Sequence, residues 1–244
     1  ERRMVNELKY LLLQIRNPGD PMQSQEIACF SRALGCNADR IDTWDLLNSA
    51  PTPRDFDRFD MVLLGGSGHY SAAPGDSWID PTLDSLREIH RMSKPTFASC
   101  WGFQAMARAL GGRVVRDPDR AELGTHRLRL TDAGKVDPLF APLGETFGGQ
   151  MGHEDRVDIL PSDAVLLAST DVVENQAYRF QDKPIYCTQF HPELNRHDLM
   201  GRVMAYPEYI HRICGLPPER FGELLSDTLD TESLLPRFVE TIFS

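Results

Sequence analysis

The sequence predicts an α/β fold with a mostly parallel central sheet flanked by helices. Three observations carry this. Short, continuously apolar runs recur at Tyr10-Leu11-Leu12-Leu13-Gln14-Ile15, Met61-Val62-Leu63-Leu64 and Thr96-Phe97-Ala98, as expected of strands buried on both faces. Helical periodicities separate them, and strand–helix alternation of this length implies parallel pairing. After Gly112 the strands follow one another without helices, so part of the sheet should be antiparallel or mixed.

The elements follow in order. After the first strand, Asn17 to Pro21 is a loop. Ile27, Phe30, Ala33 and Leu34 then mark a helix closed by Gly35. A second strand is expected near Arg40 to Trp44, and Pro51 to Arg58 reads as a polar connection. The third strand, Asp60 to Leu64, ends in Gly65-Gly66-Ser67-Gly68. Asp80-Pro81 looks like an N-cap with proline at the first helical position, and Leu83, Leu86 and Ile89 give that helix its apolar side. The next strand runs from Thr96 to Ala98 and a helix carries Phe103, Met106, Ala107 and Leu110 up to Gly111-Gly112. Further strands are expected at Gly112 to Asp117, His126 to Leu130, Arg156 to Leu160 and Val165 to Ser169, with a loop from Asp132 to Gly144. Ala177 to Gln181 and Ile185 to Phe190 read as a hairpin about Asp182-Lys183-Pro184. From Arg196 the pattern turns helical. Leu199, Val203, Tyr206, Ile210 and Ile213 form one stripe, broken near Pro207, and Leu234 to Phe243 is a final amphipathic helix expected to pack on the domain.

Composition narrows the class. The 244 residues carry a formal charge of −10, which argues against nucleic acid or an anionic membrane as a partner. The five cysteines are scattered without a C-x-x-C, pointing to free thiols in a reducing, cytoplasmic setting. The charged start, Glu1 to Tyr10, has no apolar core of a signal peptide, and Glu1 is not expected to be the native first residue.

Cys100 stands where the apolar run meets a helix, with Ala98 and Gly102 flanking it. Small residues there suit a nucleophile elbow, and a helix N-terminus favours a thiolate. A buried cysteine that merely ends a strand fits the stretch equally well. His191 follows the strand from Ile185 to Phe190, where Pro192 forces a turn and Glu193 is near enough to orient the imidazole. A solvated His-Pro-Glu turn is the plain alternative. His90 and His126 read as surface residues. Gly65-Gly66 brings backbone N–H groups close to a ligand, as an oxyanion hole with the Trp101 N–H, a phosphate loop or a plain turn would. A Walker A loop is excluded because no Gly-Lys-Ser/Thr follows. Gly152-His153-Glu154-Asp155 is a polar cluster without further ligands at metal spacing.

Together these residues resemble the class I glutamine amidotransferases. Cys100-Trp101-Gly102-Phe103-Gln104 matches their C-x-G-x-Q and His191-Pro192-Glu193 their H-P-E. Gly65-Gly66 resembles their oxyanion loop. His153 and Asp155 resemble the S-H-x-D of the glutaminase domain of GMP synthetase, with Gly152 in place of Ser. The resemblance covers Tyr10 to Leu194. It implies a flavodoxin-like domain over residues 1–195; the stretch 196–244 is not part of the motif set and reads, from its apolar stripes, as a helical extension packed on that domain. The resemblance also implies a Cys100-His191-Glu193 triad acting on glutamine through a thioester, and an oxyanion hole at the Gly66 and Trp101 N–H groups. Gly65, Gln104, Gly152 and His153 would contact substrate, and no metal or cofactor is implied. Ammonia would pass to a separate synthetase; the alternatives are a stand-alone hydrolase of γ-glutamyl peptides or amines and a non-catalytic binding module. Family members usually carry Gly where this chain has Ala98, so a tighter elbow is expected.

Overall fold

The computed structural model describes residues 5–75 and 77–244. The extreme start, with Glu1, lies outside the described residues. The first half alternates as β1 (Tyr10–Gln14), α1 (Met22–Leu34), β2 (Ile41–Asp45), α2 (Pro53–Phe56), β3 (Met61–Leu64), α3 (Asp80–Arg91), β4 (Thr96–Ser99) and α4 (Trp101–Ala109). Next come β5 (Arg113–Arg116), β6 (Glu122–Leu130), α5 (Asp132–Val136), β7 (Thr146–His153), β8 (Asp155–Ile159), β9 (Ala164–Ser169), β10 (Ala177–Phe180) and β11 (Ile185–Thr188). The chain finishes with α6 (Arg196–Met204), α7 (Pro207–Tyr209), α8 (Leu229–Glu232) and α9 (Leu234–Phe243).

A nine-stranded sheet runs β2-β1-β3-β4-β11-β10-β9-β6-β7. The pairs from β2 to β11 are parallel, and the pairs from β11 to β7 antiparallel. This is the mixed sheet expected. β5 and β8 form a separate antiparallel pair.

Alternation along the strands sorts the core into two layers. Leu11, Leu13, Val62 and Leu64 face α3 and α4, packing with Leu86, Ile89, Phe103 and Met106. Tyr10, Leu12, Met61 and Leu63 face the other way, onto Phe30 and Leu34 of α1 and Leu235 and Phe238 of α9. A third cluster joins Leu199 and Val203 of α6 to Cys29, Leu123 and Phe221. The five cysteines are all free.

Several local expectations change. Pro51 to Arg58 contains α2, held by a Thr52/Asp55 capping box and too short to leave a periodicity. Asp80 is the first residue of α3 rather than its cap, because a 3-10 turn, Ser77–Ile79, leads in. The stretch read as a loop from Asp132 contains α5, capped by the Thr131 side chain. Strand β7 was not among the expected strands; it carries Gly148, Gly149 and Gly152, a residue type that weakens a strand pattern. Here the missing side chain is needed for packing: a Cβ at Gly149 would lie 2.8 Å from Leu128 Cδ1 and 3.1 Å from Phe190. His90 is not a free surface residue; its Nε2 lies 2.7 Å from Asp163 and its ring packs edge-on against Phe180.

Candidate active site

The thiol sits on a strained turn. Cys100 has φ +52°, which side chains other than glycine rarely adopt. The turn is held because the Cys100 N–H donates to Thr188 O (2.8 Å) and the Gly102 N–H to Gly65 O (3.1 Å). β4 thus ends beside both β11 and the glycine loop, with Cys100 at the N-terminus of α4. The need for small flanks is now concrete. A Cβ at Gly102 would stand 2.5 Å from Leu64 Cβ and 3.3 Å from Ala98 Cβ. Alanine at 98 is therefore accommodated because residue 102 is glycine. Gly102→Ala should push α4 off β3 and destabilise the fold by about 1–3 kcal/mol. Urea unfolding measures this, and a midpoint equal to that of the parent would contradict it.

The parallel register Thr188↔Ser99 brings the segment after β11 to the same sheet edge as Cys100. The His191 N–H donates to Gln150 O of β7 (2.9 Å), so β7 anchors this turn. His191 Nδ1 lies 2.7 Å from Glu193 Oε1, and the Cys100 side chain lies near enough to act on its charge, with the thiol itself directed at Gly152 O, 3.7 Å away. Burial alone would lower the His191 pKa; the Glu193 carboxylate and the Cys100 sulfur outweigh it and raise it to about 9. Glu193 is fully buried. Burial would raise its pKa, but His191 and then Arg202 hold it below the ordinary carboxylate range.

Arg202 is a residue that sequence reasoning passed over. It lies on α6 with Nη1 3.7 Å from Glu193 Oε1. Its signal was a charge set against the apolar stripe, three residues after Leu199. Arg16, also unanticipated, forms a buried ion pair with Glu26 at 3.2 Å behind the glycine loop.

That loop places Gly66 beside the thiol: a Cβ there would meet His191 Cε1 at 3.0 Å and Cys100 Sγ at 3.7 Å. Among the described residues, neither the Gly66 nor the Trp101 N–H has a backbone acceptor. Gly65 is different. A Cβ there would fall 1.9 Å from Glu26 Oε1, so Gly65 packs beneath the loop and lines neither cavity at the thiol.

Two cavities meet at Cys100. The larger, about 520 Å³, is polar, with Trp101, Gln104, Gly152, His153, Asp155 and the exposed Arg116 in its wall. The smaller, about 50 Å³, is walled by Gly66, His191, Leu199, Arg202, Val203 and Tyr206 among others. Gln104 does double service, donating from Nε2 to Asp155 O (2.9 Å) and Gln189 Oε1 (3.0 Å). The His153 side chain is committed inward, with Nδ1 3.0 Å from Asp155 O and Nε2 3.0 Å from Glu122 Oε2. Contact with a ligand therefore falls to the backbone of the Gly152–His153 segment. Burial would raise Glu122, yet His153 holds it below its ordinary range. Burial raises the Asp155 carboxyl, against the hydrogen bond from Ser71. Among the described residues no group of His, Cys, Asp and Glu is placed to hold a metal ion, and no helix is long and apolar enough to cross a membrane.

Over 214 residues the chain is 27% identical to gamma-glutamyl peptidase 4 of Arabidopsis thaliana, covering 83% of each protein. It is 32% identical to a glutamine amidotransferase-like protein of Penicillium rubens, over 85% of this chain and 86% of that one. A GMP synthase of Christiangramia forsetii is 36% identical over 58% of this chain, but only 26% of that enzyme is matched. A glutamine amidotransferase of Thermotoga maritima superposes with TM-score 0.74 at 19% identity, covering 97% of this chain and 98% of that one, which shows the shared fold. The family model for glutamine amidotransferase class-I matches residues 30–205. The chain belongs to the class-I glutamine amidotransferase family.

Proposed function

We propose that this protein hydrolyses the side-chain amide of glutamine through a thioester on Cys100. The observation that carries the reading is the position of His191, which is bonded through Nδ1 to buried Glu193 and lines the same small cavity as Cys100. Cys100, as thiolate, attacks the γ-carbonyl carbon and the S–C bond forms. The Gly66 and Trp101 N–H groups hold the oxyanion. His191 delivers its proton to the nitrogen as the C–N bond breaks, and ammonia leaves. It then takes a proton from water, which attacks the thioester to give glutamate and restore the thiolate. Glu193 keeps the imidazole in its working orientation throughout. Gln104 and the Gly152–His153 backbone hold the amino-acid end, with residues 1–195 carrying the chemistry and 196–244 extending it. Ammonia passes to a separate synthetase, and a reducing cytoplasm suits the free thiols.

A second reading, hydrolysis of γ-glutamyl peptides, is favoured by the gamma-glutamyl peptidase relative that matches over most of both lengths. The test is a panel of glutamine and γ-glutamyl peptides with glutamate and ammonia both quantified. Glutamine should release the two in equal amounts, and a glutamine-derived electrophile should label Cys100. A wild-type chain that resists the label and releases neither product refutes the proposal.

A further inference from the structure

The two cavities at Cys100 divide the proposed substrate unequally. Ser67, Gly68, Cys100, Gly152 and Tyr209 border both. Gln104, Trp101 and Asp155 border only the larger, and His191 only the smaller. A general acid must stand within hydrogen-bond reach of the atom it protonates. The departing nitrogen therefore lies on the His191 side, and the γ-glutamyl part occupies the larger cavity. The smaller space, about 50 Å³, has room for roughly three to five waters.

We infer that the smaller cavity is a leaving-amine subsite, closed in part by Leu199, Arg202, Val203, Tyr206 and Tyr209 of the segment after residue 195, that restricts turnover to γ-glutamyl compounds releasing ammonia or a short, unbranched amine. This rests on the thioester reading above. The walls have little freedom to retreat. Leu199 and Val203 are buried in a cluster with Ile210 and Phe221. Tyr206 donates its hydroxyl to Asp20 (2.8 Å), and a Cβ at Gly68 would fall 2.8 Å from the Tyr206 ring. Tyr209 donates to Gly68 O (3.0 Å) and ties the same loop down. A branched amine or an amino-acid leaving group would have to displace these side chains. A packed interior resists even one added methylene. The reaction balances as before: the C–N bond breaks, the nitrogen gains the His191 proton, and the acyl group stays on sulfur until water takes it.

The experiment compares kcat/KM for glutamate release by the full chain. The substrates are glutamine, γ-glutamyl methylamide, γ-glutamyl ethylamide, γ-glutamyl isopropylamide and γ-glutamylphenylalanine. Methyl and ethyl amides should stay within about tenfold of glutamine, and the last two should fall by a further tenfold or more, roughly the discrimination expected per methylene in a tight pocket. Tyr206→Ala, at a half-buried position, and Val203→Ala should each raise the isopropylamide relative to glutamine by at least about fivefold. The wild-type series stands even if a variant fails to fold. Isopropylamide or dipeptide turnover within about threefold of glutamine overturns the subsite and leaves the thioester reading intact. Equal effects of a folded variant on all substrates also overturn it. Glutamate release from none of the compounds overturns both.

Discussion

Cys100→Ala should abolish glutamine hydrolysis while leaving the fold in place. The loss in kcat should be on the order of 10⁵-fold, as when a covalent nucleophile is removed from a triad. The positive φ at residue 100 is set by the Thr188 and Gly65 hydrogen bonds on either side, and alanine is no more strained there than cysteine. Circular dichroism and the unfolding midpoint should therefore match the parent. The variant should also lose labelling by a glutamine-derived electrophile. The other four cysteines are no substitutes: burial pushes Cys29 and Cys187 up to about 12 and Cys36 up to about 11, and raises Cys214 as well. Activity in Cys100→Ala within tenfold of wild type would remove Cys100 from the mechanism.

Glu193→Gln should have the second largest effect, and on three readouts. Activity should fall roughly 10²- to 10⁴-fold, because an amide no longer fixes the imidazole in one orientation and tautomer. The pH profile should move. Wild-type His191, raised to about 9, stays protonated through neutrality and can give its proton to the leaving nitrogen until pH rises through that value. Without the carboxylate the alkaline limb should retreat toward neutral pH. Stability should fall too, by up to about 3–5 kcal/mol, since Arg202 is left as a buried charge without its carboxylate. The sign with pH is fixed by the shifts. The raised His191 contributes stability in full below its ordinary 6.5 and loses it as pH rises through about 9. The lowered Glu193 contributes above its ordinary 4.5 and loses it as pH falls through its depressed value. The stability gap between wild type and variant should thus narrow from pH 6.5 to 9. Urea titrations across that range measure it, and a constant gap would count against a charged His191–Glu193 pair.

Much of this was legible in the chain. Apolar runs at β1, β3 and β4 mark buried parallel strands because neither face of the sheet meets water. The elbow and His-Pro-Glu turn were legible because strand ends in a parallel sheet gather at one edge. What escaped were features that depend on partners distant in sequence. β7 is strand because Glu122 to Arg129 pairs with it, and its glycines make room for Leu128 and Phe190. The committed side chain of His153 depends on Glu122, thirty-one residues earlier. Arg202, Tyr206 and Tyr209 read as one more helix, and only folding brings them onto the triad and the glycine loop.

The sheet order has a consequence for synthesis. β11 is the last strand in sequence, yet it lies between β4 and β10 and joins the parallel to the antiparallel half. A nascent chain that has not emerged past Thr188 has two sheet fragments with unpaired facing edges, and it lacks His191. Non-local pairing of this kind makes folding slow and cooperative. Until β11 has paired with β4, the thiol and its acid–base partner cannot be brought together. Before that insertion β4 and β10 each present an unpaired edge, the kind of surface on which incompletely folded chains associate.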